Sequence, residues 1–175
     1  MTARLSRSEL LWLPVVLAAL LAIYLPGLGN IPVFDDAFLT DGELFAEYRS
    51  LFEFRVRVIS YGSFVWMQAL FGEGWWKQRL LNFAIHVGVV LALWGLYREI
   101  LRHIAPPPAE AAPPGKEVLP YHQSPALGLA VGFFALNPVA VYAVAYLIQR
   151  SILLATFFTV LGRSEERRVG KECRL

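Results

Sequence analysis

Residues 10–29 form a run of 20 amino acids without one Asp, Glu, Lys or Arg. A helix of that length, rising about 1.5 Å per residue, matches a hydrocarbon layer of roughly 30 Å. Further uncharged runs cover 18 residues over 80–97, 32 over 118–149 and 12 over 151–162. The 32-residue run is too long for one simple span and reads as a helix followed by a polar-lined turn. Hydrophobic residues make up 57% of the 175 and aromatics 14%, with a mean hydropathy of +0.49, more apolar surface than a soluble domain of this size needs. The expected fold class is therefore all-α, a polytopic helical membrane protein. Its spans are expected at about 10–29, 80–104 and 124–137, with a fourth starting near 151.

Arg4 and Arg7 before the first run resemble the basic lead of a signal peptide. The run is longer than a typical secretory core, and Pro26-Gly27-Leu28-Gly29 offers no clean small-x-small cleavage site. The first helix is expected to stay as a signal anchor.

Residues 163–175 are highly charged and carry no aromatic side chain. Arg163-Ser164-Glu165-Glu166 is the translation of AGATCGGAAGAG, the start of a common sequencing adapter, and the expectation is that 163–175 is an artefactual tail after a domain of residues 1–162 cut within its fourth span. The tail holds five basic and three acidic residues, so the net charge of +2 falls to 0 without it. A neutral chain gives no reason to expect a nucleic-acid partner. The one cysteine, Cys173, lies in the tail, so the sequence gives no ground for arguing disulfide, zinc or thiol chemistry or a redox compartment.

Between the first two spans, residues 30–79 are too patterned for a linker. Phe38, Leu39, Leu44, Phe45, Leu51, Phe52 and Phe54 are interleaved with acids at a spacing compatible with helix. Residues 58–72 are uncharged and aromatic but too short to span, which suits a helix lying in the membrane interface. Trp75 and Trp76 beside Lys77 and Arg79 mark the headgroup level. Residues 105–123, with Pro106-Pro107-Pro108 and Pro113-Pro114, read as a flexible connector. With the N-terminus and this connector inside, five basic residues face six on the other side, so counting does not orient the chain. The first helix and the seven acids of the 30–79 loop favour the N-terminus inside and that loop outside.

Several polar residues stand out against this background. Asp35 and Asp36 are adjacent carboxylates just past the first span. Adjacent acids repel, so they are either solvated or held by a cation, a metal or a substrate hydroxyl. Arg57 opens the interfacial helix, where its planar fork suits a lipid phosphate or simply reaches the headgroups. Asn82 and His86, four apart, share one face of the second span, where helix-to-helix hydrogen bonding competes with a cavity-lining role. Gly128 and Gly132 are spaced for close helix packing. Asn137-Pro138 should end a helix, and Gln149-Arg150-Ser151 places a polar triplet before the last apolar run.

In this order the pieces resemble the GT-C membrane glycosyltransferases, nearest to the protein O-mannosyltransferase-like branch often fused to tetratricopeptide repeats. The stretches that carry the resemblance are Phe34-Asp35-Asp36, Arg57-Val58-Ile59-Ser60-Tyr61, Leu81-Asn82-Phe83-Ala84-Ile85-His86, and Asn137-Pro138-Val139 through Gln149-Arg150-Ser151 with Leu153-Leu154-Ala155. It extends over residues 8–162. Family members often carry a His-Pro-Val, a Glu-Ala-Val and an acid after Arg-Ser; Asn137, Tyr142 and Ile152 stand at those places. The resemblance implies an inner-membrane enzyme that takes a sugar from a polyprenyl-phosphate donor to an extracytoplasmic acceptor. It implies Asp35 as general base with Asp36 in support, and it leaves a divalent metal at this pair as an option. Arg57 and Arg150 would bind the lipid phosphate, with Gln149 and His86 completing the substrate-binding set. A non-catalytic membrane protein, such as a transporter or an envelope assembly factor, is the competing expectation.

Overall fold

The computed structural model describes residues 7–49, 55–103 and 125–172. Among these, all regular structure is helical. The proline-rich connector at 105–123 and the cysteine at 173 lie outside the described residues.

The first apolar run forms α1 (Arg7–Tyr24), which a short 3-10 turn at Leu25–Gly27 ends, with Pro26 unable to continue the ladder. The acidic loop breaks into two short pieces, α2 (Ala37–Thr40) and α3 (Glu43–Glu47). Gly42 separates them at φ +77°, in the left-handed region open to glycine. The next helix, α4, runs Val58–Phe71, and Gly72 at φ +76° stops it. The longest helix, α5 (Trp75–His103), contains the one described segment long and apolar enough to cross a membrane. That segment, Trp75–Arg102, has 28 residues and a mean hydropathy of 1.8. It would extend about 42 Å.

The long uncharged run at 118–149 divides where its sequence says it should. Pro125 opens α6 (Pro125–Ala135), Asn137 interrupts, and Pro138 opens α7 (Pro138–Ala145). Proline at the first position of a helix loses no hydrogen bond, because that N–H has no intrahelical partner. A 3-10 turn at Leu147–Gln149 then leads into α8 (Arg150–Glu172), which continues beyond the apolar segment into residues 163–172. The expected third span is accordingly an 11-residue helix with a break after it, and the expected first span is 18 residues long.

Two cores organise the packing. The larger joins α1, α5, α6 and α8 through Leu20, Phe83, Val90, Val131 and Leu153. In it α6 approaches α1 closely: a Cβ at Gly128 would lie 2.6 Å from Trp12 Cγ, inside contact distance. Gly132, one turn on, faces Val16. These are the two glycines whose spacing reads as a packing face. The smaller core belongs to the 30–79 loop, where Leu39, Leu44, Tyr48 and Phe64 surround Leu147 from the far end of the chain. The described residues of the loop thus share a core that is held to the turn before α8.

Candidate functional site

The acidic pair sits on a 3-10 turn, Phe34–Asp36, directly before α2. Phe34 has φ +53°, a left-handed conformation that costs a bulky residue free energy and that its surroundings must hold in place. Its ring stacks on Tyr146 with centroids 6.3 Å apart. The turn separates the two carboxylates: Asp35 is exposed, whereas Asp36 is 1% exposed.

Asp36 accepts the backbone N–H of Ile148 at 3.0 Å and of Leu147 at 3.3 Å. Both donors lie at the start of the 3-10 turn that precedes α8, where backbone N–H groups have no partner within the helix. Asp36 therefore ties the first loop to residues 147–150, and it supplies the negative charge that a helix start favours. Burial holds its carboxyl above the ordinary carboxylate range; the two N–H donors and the Arg79 guanidinium oppose that shift, and Asp35 adds to it. Arg79 is itself buried, and its guanidinium binds the carbonyls of Leu28, Asn30 and Ile31, closing the end of the first helix onto α5.

Arg150, the first residue of α8, is fully buried. Its Nε donates to Asn82 Oδ1 at 2.7 Å and Nη1 to Ser63 Oγ at 2.9 Å. Nη2 donates to the carbonyl of Gln78 at 3.0 Å and to its Oε1 at 2.9 Å. The guanidinium also lies over the Phe64 ring, 3.7 Å from the centroid. The fork thus joins α4, α5 and α8 through neutral acceptors and an aromatic face. Resemblance assigns Arg150 to a lipid phosphate, but here its donors face protein and none of its surface is open to a ligand.

The other expected site residues are placed as follows. Arg57 is exposed at φ +66°, donates to Tyr61 Oη at 2.7 Å and lies 5.5 Å from that ring's centroid. His86 is 1% exposed, with Nε2 3.2 Å from the carbonyl of Ala135, so the proton belongs on Nε2. Its ring packs between Tyr24 and Phe134, inside the helix bundle and away from the acidic turn's surface. Gln149 donates to Tyr142 Oη at 3.4 Å on the exposed side. The fold brings Asp36, Gln149 and Arg150 to one turn, leaves Arg57 exposed just before α4, and sets His86 apart.

Asn82 donates to the carbonyls of Val144 and Tyr146 at 3.3 and 3.4 Å while accepting from Arg150. Gln78, one turn before it, donates to the carbonyl of Phe64 at 3.0 Å. Gln78 and Arg79 carry structural roles that sequence reasoning missed. The signal was present: Gln78, Asn82 and His86 repeat every four residues as one polar stripe along α5.

Two cavities are lined by residues close in sequence to the acidic turn. One, of about 290 Å³, is lined by Tyr24, Asn30, Val33, Arg79, Phe83 and Tyr146. The other, of about 580 Å³, lies between α2–α3 and the corner where α4 meets α5. Among the described residues no group of three or more His, Cys, Asp or Glu side chains gathers as a metal site would require. The acidic pair does not fit a divalent cation: each Asp36 oxygen already accepts a backbone N–H, and Asp35 alone falls well short of the six or more oxygens a hard cation takes.

No family model, curated protein or solved structure matches the chain.

Proposed function

We propose that the chain belongs to a polytopic membrane glycosyltransferase of the GT-C kind, one that moves a sugar from a polyprenyl phosphate to a hydroxyl acceptor on the extracytoplasmic side. The observation that carries this reading is the split between the two acids. Asp36 is buried and bonded to the backbone of Leu147 and Ile148, which fixes the turn, while Asp35 on the same turn stays open to solvent. A buried anchor beside an open carboxylate is what a positioned general base requires.

In this reading Asp35 takes the proton of the acceptor hydroxyl as its oxygen bonds to the anomeric carbon. The bond from that carbon to the phosphate oxygen breaks, and the polyprenyl phosphate leaves with the electron pair. Arg57, exposed and bonded to Tyr61, is the cation this reading assigns to the departing phosphate. Arg150 acts from inside, holding the 147–150 turn that holds Asp36. Exposed apolar side chains on α1, α6 and α8, among them Leu11, Val15, Leu129, Phe133 and Phe158, supply a surface suited to lipid or to further helices. In this reading they face lipid or neighbouring helices of a multi-pass inner-membrane protein in which α5 is one of several spans.

The test is sugar transfer from a polyprenyl-phosphate donor in membranes that hold the full-length protein. Asp35→Asn should lower the rate by about a hundredfold or more, the scale on which a general base contributes. Unchanged transfer at normal protein levels would sink the catalytic role and favour a transporter or assembly factor.

A further inference from the structure

The 580 Å³ cavity lies within the size range of small-molecule sites, roughly 300–1,000 Å³. Its walls are of two kinds. Phe45 and Trp75 line one part, each ring partly buried against the loop core and so held in position. Gln68, Glu73 and Thr40 line another. Gln68 Nε2 donates to Glu73 Oε1 at 3.2 Å, which fixes both side chains and leaves Gln68 Oε1 and Glu73 Oε2 to accept. Thr40 Oγ1 gives its proton to the carbonyl of Ala37 at 2.9 Å, so it too presents lone pairs. Gln78, bonded to Phe64 and Arg150, forms a rigid floor.

Among the described residues no Lys or Arg lines this cavity, which argues against a phosphate or carboxylate occupant. An acceptor-rich rim calls for a ligand that carries several donors. The aromatic walls call for a face of polarised C–H groups, which the negative face of a ring attracts. A sugar ring offers both. We propose that this cavity binds a neutral sugar ring or a similarly polyhydroxylated group, stacked on Phe45 and Trp75 with its hydroxyls donating to Gln68, Glu73 and Thr40.

The position gives the site a use. Thr40, which lines the cavity, is four residues past Asp36, so an occupant there is assigned to the hydroxyl-bearing acceptor. That role, unlike the binding itself, rests on the transferase reading.

The test is saturation-transfer NMR on the full chain in nanodiscs, with methyl α-mannopyranoside and methyl β-glucopyranoside as probes and tetramethylammonium as a cationic comparison. At least one glycoside should show saturation of its ring protons. Glu73→Gln and Thr40→Val, both at exposed positions, should each weaken binding, Glu73→Gln by about tenfold, the scale of a hydrogen bond to a charged group. Trp75→Leu should abolish stacking, with the thermal midpoint measured alongside to show that the fold survives. Absence of saturation for both glycosides, binding untouched by Glu73→Gln and Thr40→Val, or binding of tetramethylammonium alone would overturn the proposal. The two readings separate cleanly: glycoside binding without sugar transfer keeps the cavity and removes the transferase. Transfer that depends on Asp35, with an acceptor KM unmoved by Glu73→Gln, removes the cavity's acceptor role and keeps the transferase, and absence of glycoside saturation removes the cavity.

Discussion

The carboxylate of Asp36 and the backbone nitrogen of Ile148 meet at 3.0 Å across 112 residues of chain. This bond joins the folded loop after α1 to the turn that opens α8. It also leaves Asp35 as the carboxylate facing outward.

Replacing Asp36 with Ala should destabilise the fold by about 1–3 kcal/mol, because two backbone N–H groups lose their acceptor in a buried setting. Asp36→Asn keeps one acceptor oxygen and should cost less. Unfolding in detergent, followed by circular dichroism, measures both.

Acid should act on this contact in an unusual direction. Burial raises the Asp36 pKa, so the folded state binds its proton more readily than the unfolded chain does. Its contribution to stability is then full below the ordinary carboxylate range and is lost as pH rises through the raised folded value. The melting midpoint of the wild type relative to Asp36→Asn should therefore increase on going from neutral pH to about pH 4. A relative decrease would reverse the assigned sign.

Arg150 should tolerate neither truncation nor its closest relative. Arg150→Ala strands acceptors on Asn82, Gln78 and Ser63, and a loss above about 3 kcal/mol is expected. Lysine keeps the charge but not the planar fork, so Arg150→Lys should fall between the two. Because the guanidinium is buried in protein, the proposed sugar transfer should fall together with protein level, with no separate change in donor KM.

At the α1–α6 contact, Gly128→Ala should cost about 1–3 kcal/mol by overpacking against Trp12. Trp12→Leu in the same chain should recover part of that loss. Additive effects in the double-mutant cycle would show that the two residues do not share the contact.

A reporter inserted after Glu43 should behave as extracytoplasmic if the N-terminus lies inside. Cytoplasmic activity there would overturn that orientation.

Much of the local structure was legible in the sequence. The aromatic run closed by Gly72 gives α4, and Asn137-Pro138 divides the long apolar run into α6 and α7. The Gly128–Gly132 spacing marks a face that does pack closely. The interleaved apolar and acidic residues of the loop are helix-compatible, yet Gly42 cuts α2 from α3. What could not be read was which polar groups would meet. Arg150 finds Asn82 across 68 residues and Gln78 across 72, and spacing along a chain carries no record of such pairs. For the same reason spacing alone does not tell Asp35 from Asp36, although one turn of backbone buries the second and exposes the first.

Synthesis runs from the N-terminus, and folding during synthesis follows the same order. Asp36 leaves the ribosome long before Leu147 and Ile148, the residues that supply its hydrogen-bond donors. The acidic turn is consequently finished late, only after α5, α6 and α7 have been made. A nascent chain halted before Leu147 carries Asp36 without the two backbone donors that hold it in the finished fold.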